Sequence, residues 1–122
     1  MIEVFNKMGK LEGYIDGKQY LDRKKRLIGF LEGNVAKDKT GYPLLILKDN
    51  GEITWNEGEL QGYLKDSKIY NFTDNLIFEF LKENGKINNS EEEVVLDLRG
   101  NIEGIEDVDF FGIAAIFLEL FA

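Results

Sequence analysis

The chain contains no cysteine and no histidine among its 122 residues. Without cysteine it can form no disulfide, thiolate zinc site or cysteine nucleophile. Without histidine it lacks the commonest metal ligand and the usual base of a serine nucleophile. The glycine-rich patterns that cradle phosphates, G-x-G-x-x-G and G-x-x-x-x-G-K, are also missing. We therefore expect no catalytic residue, no cofactor and no metal site.

Positive charge is scarce in the last quarter of the chain. Residues 1–90 contain 14 basic and 14 acidic residues, whereas residues 91–122 contain nine acidic residues and Arg99 alone, which gives the formal net charge of −8. A net negative field disfavours binding to nucleic acid and to anionic membranes, so neither partner is expected. Two interpretations of the acidic segment remain open, solubility and an acidic face that binds a basic partner.

Long apolar runs are absent as well. The longest run of apolar residues and glycine covers residues 110–118, which is shorter than the roughly 20 residues of a membrane-spanning helix. Met1 is followed by neither a basic segment nor a signal-like apolar stretch. The sequence therefore predicts a cytoplasmic protein.

A repeat organises most of the chain. Five leucines recur at intervals of 16, 17, 16 and 16 residues: Leu11, Leu27, Leu44, Leu60 and Leu76. Asn, Asp and Gly residues stand before and after each leucine segment, where tight turns need their left-handed conformations. The apolar runs between turns have the length of strands. Each unit is therefore predicted to be a β-hairpin of about 16 residues, with the extra residue of the third unit at Pro43.

Alternation along these strands predicts two faces. Gly13, Gly29 and Gly62 lie between aliphatic residues on one face, which indicates strands that converge on a closed, tapering core. Glycines that merely permit bulges are the alternative, and Ile46 and Phe78 are predicted to fill the equivalent positions in the third and fifth units. The opposite face carries aromatic residues, and with the residue that starts the fourth unit they form a candidate aromatic platform or part of the core: Tyr14, Phe30, Trp55 and Tyr63.

The pattern over roughly residues 2–80 resembles the four-fold beta-flower domain, a small bacterial β-hairpin-repeat protein. The unit Asn6–Asp16, with its turn glycine, Gly-Tyr pair and acidic turn, carries this resemblance. The third and fifth units lack the Gly-aromatic pair. The resemblance implies hairpins around a pseudo-four-fold axis and provides no catalytic residues.

The register changes after residue 80. Residues 86–93 are predicted to be a polar connection, followed by a strand at 94–98, a turn at 99–100 and a short strand to Ile105. Residues 74–83 fit either a strand or a two-turn helix, and the repeat favours the strand. Asp107 and Asp109 precede an apolar run as helix-capping residues do, so a helix is predicted at about 107–121.

The predicted helix is apolar on almost every side, so it requires cover on more than one side. It either plugs an open end of the β-structure, forms a dimer interface or inserts into a membrane surface. Its candidate interface residues are Phe110, Phe111, Ile113, Phe117, Leu120 and Phe121.

These features predict a mainly β protein of one domain, residues 1–122, with tandem hairpins (residues 2–85) closed into a barrel-like or flower-like core and one C-terminal helix. The predicted function is a non-catalytic interaction module that self-associates through the helix as a dimer or binds a protein partner. One alternative is an acidic neutralising protein that binds a basic partner of the immunity type. A carboxylate-based hydrolase is the third hypothesis.

Overall fold

The computed structural model describes all 122 residues and is a closed barrel of twelve antiparallel strands with a single C-terminal helix. This architecture confirms the predicted fold class. The strands are β1 (Ile2–Asn6), β2 (Leu11–Asp16), β3 (Gln19–Asp22), β4 (Leu27–Glu32), β5 (Val35–Asp38), β6 (Pro43–Leu47), β7 (Glu52–Trp55), β8 (Leu60–Lys65), β9 (Lys68–Asn71), β10 (Leu76–Leu81), β11 (Lys86–Asn89) and β12 (Val94–Arg99), and the helix is α1 (Asp107–Phe117).

Every strand pairs with its neighbours in sequence, and β1 pairs with β12 to close the ring. The barrel therefore consists of five hairpins, β2–β3 to β10–β11, and a sixth strand pair formed by the distant strands β12 and β1. The predicted hairpins are present, but six strand pairs surround the axis rather than the four that the resemblance implies. Residues 86–93 are not a plain connection, because β11 occupies Lys86–Asn89. The segment 74–83 contains the strand β10, as the repeat predicted, whereas residues 100–105 form no strand.

The two ends of the barrel differ. Six loops of four residues each lie at one end, which we call the loop rim: residues 7–10, 23–26, 39–42, 56–59, 72–75 and 90–93. The opposite end, the turn rim, carries hairpin connections of two residues at 17–18, 33–34 and 66–67 and of four residues at 48–51 and 82–85.

The repeat is most regular at the loop rim. Five of the six loops begin after an Asn or Asp residue, namely Asn6, Asp22, Asp38, Asn71 and Asn89. In each of these, the side-chain Oδ1 accepts the backbone N–H groups two and four residues later. The residue three positions later has a positive φ in all six loops: Gly9, Lys25, Gly41, Gly58, Asp74 and Glu92.

The five repeating leucines are not the core. All five are partly or largely exposed, and Leu60 is 47% exposed. Between β1 and β2 the pairs Val4–Gly13 and Phe5–Leu11 leave Glu12 as a bulge, and the same shift recurs between every two hairpins. A shift of one residue moves a side chain to the other face of a strand, so the four leucines that precede a bulge residue lie away from the buried column. The fifth, Leu44, is itself the bulge residue of its strand. That column consists of Val4, Tyr20, Ala36, Ile53, Ile69 and Ile87, each at most 1% exposed.

The extra residue of the third unit lies in the turn 48–51 and not at Pro43. The pairs Leu45–Trp55 and Leu47–Ile53 keep the register of the other hairpins, so three residues separate Lys48 from Glu52, where the equivalent first turn has two. The position equivalent to Gly13 is consequently Leu45. The prediction of Ile46 for that position was wrong by one residue.

The helix α1 lies inside the barrel. Six consecutive residues, 110–115, are buried, so the helix is covered on all sides by its own chain. The prediction of an interface between copies through Phe110, Phe111, Ile113 and Leu120 was therefore wrong, because these four residues are at most 5% exposed. The remaining two, Phe117 and Phe121, are half-buried. At eleven residues, α1 lacks the length and apolar run needed to cross a membrane.

Both ends of α1 differ slightly from the prediction. Glu106 rather than Asp107 caps the helix, in a capping box with Asp109. The helix ends at Phe117 and not at residue 121, because Glu119 and Phe121 have φ values of 50° and 57°. This reversal lets Leu120 pack back into the core.

Three wall glycines make room for the C-terminal segment. A Cβ on Gly62 would lie 2.0 Å from the carbonyl oxygen of Tyr70 and 2.7 Å from the ring of Phe121. Gly13 faces Phe117 and Gly29 faces Ile116 in the same way. The strands therefore do approach other groups closely at these glycines, as predicted, but they surround a helix and do not converge on an empty axis.

We expect Gly62→Ala to lower the free energy of unfolding by about 3 kcal/mol, since overpacking against fixed backbone forces the wall to move. The matched control is Gly104→Ala, where a Cβ would meet nothing within 4 Å and φ is not positive. The free energy of unfolding of that variant, measured by urea denaturation, should stay within about 0.5 kcal/mol of the wild-type value. Equal stability of the two variants would contradict the close approach at Gly62.

We expect Glu92→Gly to raise the free energy of unfolding by about 1 kcal/mol, because Glu92 has a φ of 63° that strains any residue except glycine. Glu91→Gly removes the same charge from the same loop without a positive φ to relieve. It should therefore leave the stability unchanged or lower it slightly. Thermal and urea unfolding of both variants checks the difference, and a stabilising Glu91→Gly would point to charge rather than backbone strain.

Candidate functional site

The helix is held at the turn rim by its first residues. The Ser67 hydroxyl donates a hydrogen bond of 2.8 Å to Asp107, and the Lys82 ammonium lies 3.6 Å from the same carboxylate. Lys18 forms an ion pair with Asp109. Carboxylates in the first turn also interact favourably with the helix dipole. These contacts fix the N-terminus of α1 at the turn rim, so its C-terminal end points towards the loop rim.

A groove of about 480 Å³ opens at the loop rim beside the end of α1. Nine of its ten lining residues are hydrophobic, and Glu119 is the exception. Two of them, Ile28 and Leu44, are bulge residues of neighbouring hairpins. Because a bulge redirects the side chain of the extra residue, these two residues extend the apolar wall to the groove. Trp55 lies on its outer edge and is 42% exposed.

Trp55 occupies the position that carries Asn or Asp in the other five strand pairs. The loop backbone after Trp55 keeps the common geometry: its N–H donates to the Glu59 carbonyl at 3.0 Å, as the Asn71 N–H does to the Asn75 carbonyl at 3.0 Å. The indole cannot accept the two backbone N–H groups that an Asx side chain would accept. An exposed aromatic residue here therefore replaces a stabilising loop cap.

Other large apolar side chains are exposed at the same end. Six large hydrophobic residues of the chain are markedly exposed, and five of them lie on the loop rim or at the strand ends next to it: Met8, Tyr42, Trp55, Leu60 and Phe72. Tyr42 and Trp55 line a second, shallower depression with Pro43 and Leu44. The exposed apolar surface of the protein is thus concentrated around one end of the barrel.

The predicted aromatic platform is not a single surface. Tyr14, Phe30 and Tyr63 are half-buried on the outer wall, where α1 does not reach them. Ile46, Glu79 and Asp97 take the equivalent wall positions in the other strand pairs and interrupt the aromatic row. Trp55 alone of the predicted four belongs to the loop rim.

Each wall aromatic residue is covered by a nearby group. Lys25 lies over the Tyr14 ring at 5.3 Å and Lys37 over the Phe30 ring at 5.9 Å. Tyr63 stacks on Tyr70 with ring centroids 4.9 Å apart. These contacts stabilise the wall, and we assign the three wall aromatics a structural role.

Hydrogen bonds at the loop rim shift the pKa values of several side chains. The Tyr63 hydroxyl donates to Asp74 at 2.8 Å, and this hydrogen bond raises the pKa of Tyr63. The backbone N–H of Arg26 lowers the pKa of Asp22, and the hydroxyl of Thr40 lowers the pKa of Asp38. The loop carboxylates are thereby kept ionised as acceptors for the loop backbone.

A second cavity, of about 330 Å³, lies at the turn rim. Its lining includes Tyr20, which is the one polar residue in the buried column, and the ion pair of Lys18 with Asp109. The Tyr20 hydroxyl lies against the helix where a Cβ on Gly112 would be 2.1 Å away, which explains a glycine in the middle of α1. Burial, with a smaller effect of the Asp109 charge, raises the pKa of Tyr20.

The acidic residues of the C-terminal quarter do not form one face. Glu91, Glu92 and Glu93 lie on the loop rim, whereas Asp107 and Asp109 lie at the turn rim, where lysines pair with them. No carboxylate of the chain is buried, so none forms the enclosed, facing pair that glycosidases use.

We expect the stability of the wild type to fall above pH 10 more steeply than that of Tyr20→Phe. A raised pKa keeps Tyr20 neutral in the folded state, so its contribution is complete below the unfolded pKa of about 10 and is lost as the pH rises through and above this value. Relative to Tyr20→Phe, the free energy of unfolding of the wild type should fall by up to about 1.4 kcal/mol more for each pH unit above 10. Tyr42→Phe, which changes a tyrosine that is 61% exposed, serves as the control and should keep the wild-type slope. Parallel curves for all three proteins in urea titrations from pH 8 to about 12 would show that Tyr20 is not buried.

Comparison of the chain with known protein families, with curated proteins and with solved structures found no match. The candidate site is therefore defined by its geometry, and it consists of the apolar groove at the loop rim with Trp55 on its edge.

Proposed function

We propose that this protein is a cytoplasmic interaction module that binds a protein partner through the loop rim, with a large apolar side chain of the partner in the groove beside Trp55. The groove volume of about 480 Å³ lies within the range of roughly 300–1,000 Å³ that is usual for binding pockets. The proposal moves the predicted interaction from the helix, which is buried, to the end of the barrel at which the helix terminates.

The observation that carries this proposal is the tryptophan in the loop-cap position. Five strand pairs place Asn or Asp there and gain two backbone hydrogen bonds. The hairpin β6–β7 gives up this stabilisation and exposes an indole instead. Residues that break a structural pattern without a structural gain are expected at functional sites, and tryptophan is among the residues that contribute most to protein interfaces.

The distribution of exposed apolar residues supports a protein partner over a small ligand. Five large apolar side chains spread around the loop rim, beyond the groove itself. Exposed apolar surface that is concentrated in one region and interrupted by charges is typical of protein-binding surfaces. The neutralising function has less support, since the acidic residues of the last quarter are divided between the two ends of the barrel.

We expect Trp55→Asn to separate binding from stability. The new side chain can accept the N–H groups of Glu57 and Glu59, as Asn71 does in its loop, so the free energy of unfolding should rise by about 1 kcal/mol. Loss of the indole should weaken partner binding at least tenfold. The binding probe is a set of peptides selected from a displayed random library on the wild-type protein, with affinities measured by calorimetry.

Met8→Asn is the matched control, because Met8 is 73% exposed on the same rim but does not line the groove. It should leave peptide affinity within about twofold of the wild type. We expect the selected peptides to be rich in aromatic and large aliphatic residues. The proposed function is overturned if the selection yields no peptide sensitive to Trp55→Asn and the wild-type protein shows no self-association that this substitution weakens.

A further inference from the structure

Charge is divided around the loop rim into two opposed halves. The two adjacent loops 7–10 and 23–26 carry six exposed basic residues, the basic half-rim: Lys7, Lys10, Arg23, Lys24, Lys25 and Arg26. The three adjacent loops 56–59, 72–75 and 90–93 carry six exposed acidic residues, the acidic half-rim: Glu57, Glu59, Asp74, Glu91, Glu92 and Glu93. The loop between them on one side, 39–42, contains only Lys39 as a charged residue.

Most of these charges have no ionic partner within the chain. In the basic half-rim, only Arg26 forms an ion pair, with Asp22, at 2.8 Å. None of the six acidic residues takes part in an ion pair. The unpaired charged groups of both half-rims are thus available to bind another molecule. A rim with separated halves of equal and opposite charge is complementary to a second copy of itself.

We propose that the partner at the loop rim is a second copy of this chain, bound rim to rim about a two-fold axis. Such an axis reverses the order of the loops in the facing copy. The basic half-rim of one copy therefore lies on the acidic half-rim of the other, and the two-fold symmetry forms the same contact a second time. The two grooves then face each other near the centre, and Trp55 of each copy is covered. This inference rests on the proposed function, because it names the partner of the same surface.

The loop rim is large enough for such an interface. A standard interface covers about 800 Å² on each partner, which is roughly a ninth of the 7132 Å² surface of this chain. The six loops of four residues contain 24 residues, about a fifth of the chain, and nearly all of them are exposed. The apolar groove at the end of α1, with charged loops around it, matches the apolar centre and polar periphery of protein interfaces.

Charge reversal provides a test with a built-in rescue. The first variant, Lys7→Glu/Arg23→Glu/Lys24→Glu, leaves three basic and three acidic residues in the basic half-rim and so removes its net charge. The second, Glu57→Lys/Glu59→Lys/Glu91→Lys, removes the net charge of the acidic half-rim in the same way. All six side chains are exposed and form no ion pair in the chain, and none has a positive φ. We expect the wild type to sediment as a dimer and each variant alone as a monomer. An equimolar mixture of the two variants should sediment as a heterodimer, because one contact then joins the intact acidic half-rim of the first variant to the intact basic half-rim of the second, and neither variant alone can form such a contact.

The control variant is Asp16→Lys/Asp49→Lys/Glu83→Lys, which changes three exposed acidic residues of the turn rim and alters the net charge as much as the second variant does. It should remain a dimer. Trp55→Asn should weaken the dimer at least tenfold. Raised salt should also weaken the wild-type dimer, because it screens the attraction between the half-rims.

A wild-type monomer at concentrations up to about 100 μM, or a failure of the mixed variants to associate, would overturn the second copy as partner. If such a monomer still binds the selected peptides through Trp55, the proposed function stands and only this inference fails. A dimer that both charge variants and Trp55→Asn leave intact would overturn this inference too, since association would then use another surface.

Discussion

A ring of twelve strands encloses more space than its own inward side chains fill, and the fold depends on how that space is occupied. Eight strands already give an interior that side chains just fill. Here the helix α1 fills the interior, and its six consecutive buried residues show that the wall covers it on every side. The glycines at positions 13, 29 and 62 bring the wall close to the C-terminal segment. The apolar helix and the wide ring each require the other.

The direction of the helix decides where the protein can bind a partner. Ser67, Lys18 and Lys82 hold the acidic first turn of α1 at the turn rim. The C-terminal residues therefore reach the loop rim, where the chain reverses at Glu119 and leaves an apolar groove. The loops at that end also carry the exposed aromatic residues and the divided charges. One structural constraint thus makes the two ends of a nearly regular barrel chemically different.

Local patterns in the sequence were sufficient to predict hairpins, their approximate period and an apolar helix, because turn residues and side-chain alternation act over a few residues. They did not reveal the strand pair that closes the ring, since β12 and β1 pair across almost the whole chain. They also placed the repeating leucines in the core. A bulge such as that at Glu12 leaves the spacing of the leucines unchanged and moves them to the other face, so the period alone cannot detect it. The end of the helix at Phe117 was missed because Glu119, a residue that rarely adopts a positive φ, makes the reversal.

Trp55 was predicted only as part of an aromatic platform, and its place in the loop-cap position was missed for a related reason, although the signal was present in the sequence. Alignment of the units on their leucines places Trp55 among other turn residues. Alignment on the residue that caps each loop gives Asn6, Asp22, Asp38, Trp55, Asn71 and Asn89, and the tryptophan is then the exception. The charges become informative only when the fold assigns alternate connections to the same end, because the basic run 23–26 and the acidic run 91–93 are far apart in sequence. In an antiparallel ring with an even number of strands, every second connection lies at the same rim. This rule places six loops that are distant in sequence on one surface, where their charges form two opposite halves.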